Sequence, residues 1–195
     1  MAREDGSPGP VRLIQPRRHA DDRGWLVETY SEATFGRLGV ESRFVQDNHS
    51  FSRRAHTLRG LHFQVPPAAQ DKLVRCTRGR IFDVAVDLRA GSPSFGRWTA
   101  AELSADNGLQ MFVAAGFAHG FLTLEPDCEV QYKMSAAYAP PQDAGIRWDD
   151  PDLAIDWPLP PDVTPELSPK DAALPLLADW ESPFPYDGRP LSPVA

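Results

Sequence analysis

Cysteine is scarce in this chain of 195 residues: only Cys76 and Cys128 occur, far apart in sequence. A disulfide framework is therefore not expected, and a reducing cytoplasm is the default compartment. No apolar run reaches the ~18 residues that a membrane-spanning helix needs. The first ten residues, Met1 to Pro10, contain no hydrophobic signal core and read as a disordered polar leader. Basic residues are outnumbered, 20 Lys and Arg against 27 Asp and Glu, for a net charge of −7. That balance argues against nucleic acid as a partner, because phosphate affinity needs a clustered basic face. It still allows an anionic small molecule, since a few arginines suffice to hold a diphosphate. Internal repeats and low-complexity tracts are absent, and so is sustained helical periodicity.

Proline is abundant but uneven: 13 of the 20 lie after position 139. Proline removes a backbone donor and blocks both helix interiors and central strands. That stretch is expected to be irregular chain wrapped on a core formed elsewhere, with one short helix near Lys170–Leu174 and a proline-rich tail over 178–195.

The middle alternates with period two. In Arg80–Leu88, residues Phe82, Val84, Val86 and Leu88 share one strand face and Asp83 and Asp87 the other. In Cys128–Met134, residues Cys128, Val130, Tyr132 and Met134 face inward. Further strands are expected at Val11–Ile14, Trp25–Tyr30, Arg43–Gln46, Thr57–Gln64, Lys72–Thr77, Arg97–Leu103, Leu109–Val113 and His119–Leu124. Glycine, proline and Asp-Asn-Gly turns punctuate them at short intervals. Ser31–Leu38 reads as a helix with Ser31 as its N-cap. Many short strands with little helix between them predict an all-β sandwich or barrel, one domain over 11–177.

Chemistry concentrates in a few side chains. His62, between Leu61 and Phe63, points to the face opposite those apolar neighbours. It reads either as a hydrogen-bonded core histidine or as a general base titrating near working pH. Arg59 alternates to the other face unless Gly60 hosts a bulge. Lys72 reads as a solvated charge at a strand start or as a cation steadying an enolate oxygen. His119 follows a glycine-flanked turn, and Tyr132 reads as core packing with a satisfied hydroxyl. The histidines lack His-x-His or His-x3-His spacing, and the cysteines are isolated, so no metal site is expected.

Ordered along the chain are Asp22-Arg-Gly24, Phe44-Val-Gln-Asp-Asn-His-Ser50, Leu58-Arg-Gly-Leu-His-Phe-Gln64 and Asp71-Lys-Leu-Val-Arg75. Gly79-Arg-Ile-Phe-Asp-Val-Ala-Val-Asp87, Ser92-Pro-Ser-Phe-Gly96, Gly116-Phe-Ala-His-Gly-Phe121 and Gly145-Ile-Arg-Trp-Asp-Asp-Pro151 follow. Ile155-Asp-Trp-Pro158 and Leu167-Ser-Pro-Lys-Asp171 complete the series. Taken together these segments, spanning about residues 11 to 175, closely resemble the dTDP-4-dehydrorhamnose 3,5-epimerase family.

The resemblance implies a cupin-type jelly roll that works without metal or other cofactor on a dTDP-sugar. It also implies a homodimer with exchanged N-terminal strands. It assigns His62 as base, oriented by Asp171, with Tyr132 as the acid on the opposite sugar face and Lys72 supporting the C4 oxygen. Arg59, Gln46 and Asn48 resemble substrate contacts, as do Arg23 and Glu28 reaching across the dimer. His119 and Tyr138 line the same site. His19 and Leu26 stand where family members often carry aromatic residues, and Phe63 where tyrosine is common. The implied activity is epimerisation at C3 and C5 of dTDP-4-dehydro-6-deoxy-D-glucose. An epimerase acting at one centre only, and a non-catalytic nucleotide-sugar-binding cupin, are the alternatives.

Overall fold

The computed structural model describes residues 9–194. Its strands are β1 (Val11–Ile14), β2 (Arg18–Asp21), β3 (Gly24–Val27), β4 (Gln46–Ser52), β5 (Leu58–Gln64), β6 (Lys72–Arg78) and β7 (Arg80–Asp87). They continue as β8 (Trp98–Ser104), β9 (Gln110–Val113), β10 (Phe117–Thr123), β11 (Cys128–Met134) and β12 (Asp143–Gly145). Two short helices, α1 (Glu32–Arg37) and α2 (Pro169–Ala172), interrupt them. One antiparallel sheet runs β1-β9-β6-β11-β4 and the other β12-β5-β10-β7-β8, while β2 and β3 form a separate hairpin. Face to face, the two sheets make the jelly roll that the strand pattern predicts.

Alternation decides what fills each layer. Val74 and Cys76 of β6, Ile81 and Ala85 of β7, Phe121 of β10, and Cys128 and Val130 of β11 meet between the sheets. The opposite face of the second sheet carries Leu58, Leu61, Phe63, Val84, Val86 and Leu122. Onto it folds the proline-rich chain, which supplies Ile146, Leu153, Trp157, Leu177 and Phe184. Strand β7 is consequently covered on both faces, so Asp83 and Asp87, which alternate against its valines, are fully buried too. Removing apolar area from water on both faces of one sheet is the main stabilising term here, at about 25 cal/mol per Å². A third cluster, Ile14, Leu73 and Phe112 against Phe35 and Val40, seats α1 on the outside of the first sheet.

Sequence expectations and structure diverge at polar strands. Helix α1 has the expected cap, Ser31 Oγ accepting from Thr34 N at 3.2 Å. Strand β4, however, starts at Gln46 where Arg43–Gln46 was expected, and β3 ends at Val27, short of Tyr30. Strands β2 and β12 were not anticipated. The leader's first eight residues lie outside the described residues, whereas Pro10 is buried and its carbonyl accepts from Ala114 N at 3.0 Å.

Beyond α2 the chain is tied down by a buried cation. Arg89, 2 % exposed, donates to both Asp87 oxygens (2.9 and 2.7 Å) and reaches Asp187 Oδ1 at 2.6 Å. Its guanidinium also lies over the rings of Phe117 and Tyr186. The burial of Asp87 would raise its carboxyl, but the bonds from Arg89, Ser92 and Ser94 hold it below the usual range. Among the described residues no helix is long and apolar enough to cross a membrane.

Candidate active site

The site forms at one end of the space between the sheets, where inward positions turn from apolar to polar. On β5, Leu61 and Phe63 are buried toward the proline-rich wrap, so His62 faces the other sheet. Opposite β5, two steps on β10 (His119 to Phe121) match three on β5 (Arg59 to His62), so β5 carries one extra residue. Such a bulge returns Arg59 to the face of His62. Gly60 permits it: its φ is +129°, and a Cβ there would meet Gly120 Cα at 2.6 Å. Arg59 then reaches across to β4, donating to Ser52 Oγ (3.2 Å) and the Phe51 carbonyl (3.0 Å).

Behind His62 stands Asp171, presented by α2. The wrap pairs beside the start of β5 through Thr57 and Glu166, and Ser168 caps α2 by accepting from Asp171 N at 3.0 Å. This delivers Asp171 Oδ1 to within 2.6 Å of His62 Nε2. Burial alone would raise the Asp171 carboxyl, but bonds from His62 and the Gly60 N–H outweigh it and keep the group ionised. An imidazole that donates one N–H to a carboxylate keeps the lone pair on its other nitrogen, here Nδ1.

Lys72 opens β6, and its ammonium donates to the His62 carbonyl at 2.9 Å. It is not a solvated charge: the residue is 6 % exposed. Burial lowers its pKa to about 8, against the opposing pull of Asp83 and Asp143. His119 bonds Asp83 Oδ1 at 2.7 Å, while Asp83 Oδ2 is buried with no hydrogen-bond partner among the described residues. Tyr132 projects from β11 on the side of Val130 and Cys128, packed against the inner cluster. The imidazole on one sheet and the phenol on the other thus flank the same space.

The remaining expected residues divide into two groups. Gln46 and Asn48 of β4 are joined by a 2.9 Å side-chain bond, and Tyr138 N donates to Gln46 Oε1 at 2.8 Å. Tyr138 also donates its hydroxyl to Asp143 Oδ2 at 2.8 Å. Arg23 and Glu28 are not brought to this cluster within the chain. Arg23, its side chain 91 % exposed at the hairpin turn, pairs with Asp21, and Glu28 accepts from Thr34 Oγ1 at 2.7 Å.

Sequence reasoning missed three charged members: Asp83, Asp143 and Lys170. Asp143 takes an ion pair from Lys170, and its burial, which would raise the carboxyl, is overridden by bonds from Lys170 and Tyr138. Lys170 beside Asp171 in one helical turn was the available signal. For Asp83 it was an acid embedded among Ile81, Phe82, Val84 and Ala85.

An imidazole bonded to a carboxylate, a buried ammonium and a facing phenol are groups able to move a proton on and off carbon. Known proteins resemble this chain over most of its length. A family profile described as dTDP-4-dehydrorhamnose 3,5-epimerase matches residues 9–179. A dTDP-4-dehydrorhamnose 3,5-epimerase of Sinorhizobium fredii is 49% identical over 176 residues, covering 90% of this chain and 89% of its own. The crystal structure of such an enzyme from Bacillus anthracis, with TDP and PPi bound, superposes with TM-score 0.82. It is 50% identical, over 85% of this chain and 93% of its own. A 3'-monoepimerase from Streptomyces bikiniensis, solved with dTDP-quinovose, gives TM-score 0.79 at 36% identity, covering 87% and 84%. On the extent of these matches, the chain belongs to the dTDP-4-dehydrorhamnose 3,5-epimerase family.

Proposed function

We propose that this protein converts dTDP-4-dehydro-6-deoxy-D-glucose to dTDP-4-dehydro-L-rhamnose by removing and returning a proton at C3 and at C5. The observation that carries the reading is the His62–Asp171 pair at 2.6 Å, set beside the buried Lys72. A C–H next to a ketone becomes acidic only where the enolate oxygen is stabilised as its charge develops. Lys72 supplies that charge in a buried site, where it acts more strongly than in water. His62 takes the proton, and Asp171 stabilises the imidazolium that results. Tyr132 returns a proton from the other sheet, which is the opposite face of the ring, so the centre inverts. No redox change occurs, and between the two centres His62 gives its proton to solvent and the Tyr132 phenolate takes one back.

The jelly roll over residues 11–177 is the catalytic unit. Arg59, Gln46, Asn48, His119 and Tyr138 hold the nucleotide sugar, with Asp143 and Lys170 beside them. The likeness to a monoepimerase means that the fold alone does not count the inverted carbons, but identity near one half to double epimerases supports two. Incubation with the 4-keto sugar in D2O is expected to place deuterium at both C3 and C5, read by NMR. Label at C3 alone would reject the double epimerase.

Arg23 and Glu28 act in the site of a second copy. In support, Trp25 and Leu26 on the β2–β3 hairpin are 58 % and 75 % exposed, and β4 is a sheet edge. Light scattering is expected to give twice the chain mass, with Arg23→Ala raising KM about tenfold through a lost charge-assisted contact. A monomer with full activity would refute the shared site. Two free, buried cysteines, Cys76 and Cys128, support a reducing compartment, the cytoplasm.

A further inference from the structure

We propose that Gln64 is a positioning residue whose buried carboxamide clamps Ala137 to Ala139 and so holds Tyr138 at the mouth of the site. The proposal rests on the epimerase reading for what Tyr138 touches, but its geometry is independent of that reading.

Gln64 lies two residues beyond His62 on β5, on the same face by alternation, and is 4 % exposed. Its Nε2 donates to the carbonyls of Ala68 (2.7 Å) and Ala137 (3.2 Å). Its Oε1 accepts from Ala139 N at 2.8 Å. The two bonds to Ala137 and Ala139 bracket Tyr138 from both sides. Tyr138 itself is 56 % exposed, so core packing does not fix its ring. What holds the ring is the backbone under it, its N–H on Gln46 and its hydroxyl on Asp143. Only a carboxamide meets this demand, because the position needs donors for two carbonyls and an acceptor for one N–H. A carboxylate lacks the donors, and a hydroxyl is too short to span both. Gln70, bonded through Nε2 to the Ala136 carbonyl at 2.7 Å, anchors the preceding residue but does not reach Tyr138.

A loosened Tyr138 weakens the holding of substrate more than the proton transfers, which depend on His62, Tyr132 and Lys72. Gln64→Met keeps the volume and removes the three bonds. With the dTDP-4-keto sugar as probe, it is expected to raise KM about tenfold, as for a displaced positioning group, with kcat nearly unchanged. On a Tyr138→Ala background the same change is expected to add little, since residues acting through one another are not additive. Amide hydrogen exchange is expected to quicken at Ala139 while the β5–β10 ladder keeps its protection. A lower melting temperature with KM unchanged would reduce Gln64 to a structural role and overturn the proposal, as would full additivity with Tyr138→Ala. If the wild-type protein exchanges no deuterium, the epimerase reading fails. The clamp is then judged by exchange alone, and unchanged Ala139 protection in Gln64→Met overturns it.

Discussion

Replacing His62 with alanine is expected to lower turnover by about 10²–10⁴-fold, the usual loss when a positioned acid–base group is removed. The expectation follows from geometry. Among the described residues, His62 is the one imidazole that combines partial exposure, its side chain 32 % accessible, with a buried carboxylate bonded to it at 2.6 Å. His119 has a similar bond to Asp83, but its side chain is 6 % exposed, which suits it to line the site rather than to take a proton from carbon. The loss should fall on kcat, because the imidazole contributes most while the proton is in flight. Asp171→Asn should reproduce a large share of it, since an amide cannot stabilise the imidazolium and can hold the wrong tautomer. Deuterium exchange followed by NMR checks both variants, and near-normal exchange by His62→Ala would remove it from the role of base.

The sheets were legible where side chains meet a core. The expected limits of β1 and β11 agree with the structure, and β7 ends one residue early, because these strands bury a regular apolar row. Strand β4 was read at the wrong end since Asp47, Asn48, His49 and Ser50 show no apolar alternation. It is an edge strand that turns one face to solvent and the other to the site, so neither row is hydrophobic. Strand β2 hides for the same reason, its Arg-His-Ala-Asp run carrying no apolar row, and β12 because three residues held by backbone pairing carry no pattern. The site was legible only as an ordered set. His62 and Asp171 are 109 residues apart and meet through a wrap whose course no local rule predicts. Arg59 shows the limit most sharply, because one glycine decides its face. Gln64 offers no signal at all until the carbonyls it binds are placed around it.

Lys72→Met is expected to lower kcat by about 10²–10³-fold, the scale of losing one preorganised partner of a developing oxyanion. The pH profile makes the assignment specific. Lys72 on β6 faces His62 on β5, Asp83 on β7 and Asp143 on β12. Burial depresses its ammonium from the ordinary lysine value, and the two carboxylates only partly restore it, leaving a pKa of about 8. The sign is fixed by which form works. Below about 8 the group is charged and stabilises the enolate, and as pH rises through that value the charge is lost. Wild-type kcat/KM, which follows the free enzyme, is therefore expected to fall along an alkaline limb centred near 8, and Lys72→Met, slow throughout, should lack that limb. Lys72→Arg should not restore the rate, since a planar fork does not fit a buried position shaped for a compact ammonium. An alkaline limb that survives in Lys72→Met would assign the titration to another group and leave the enolate oxygen without its charge partner.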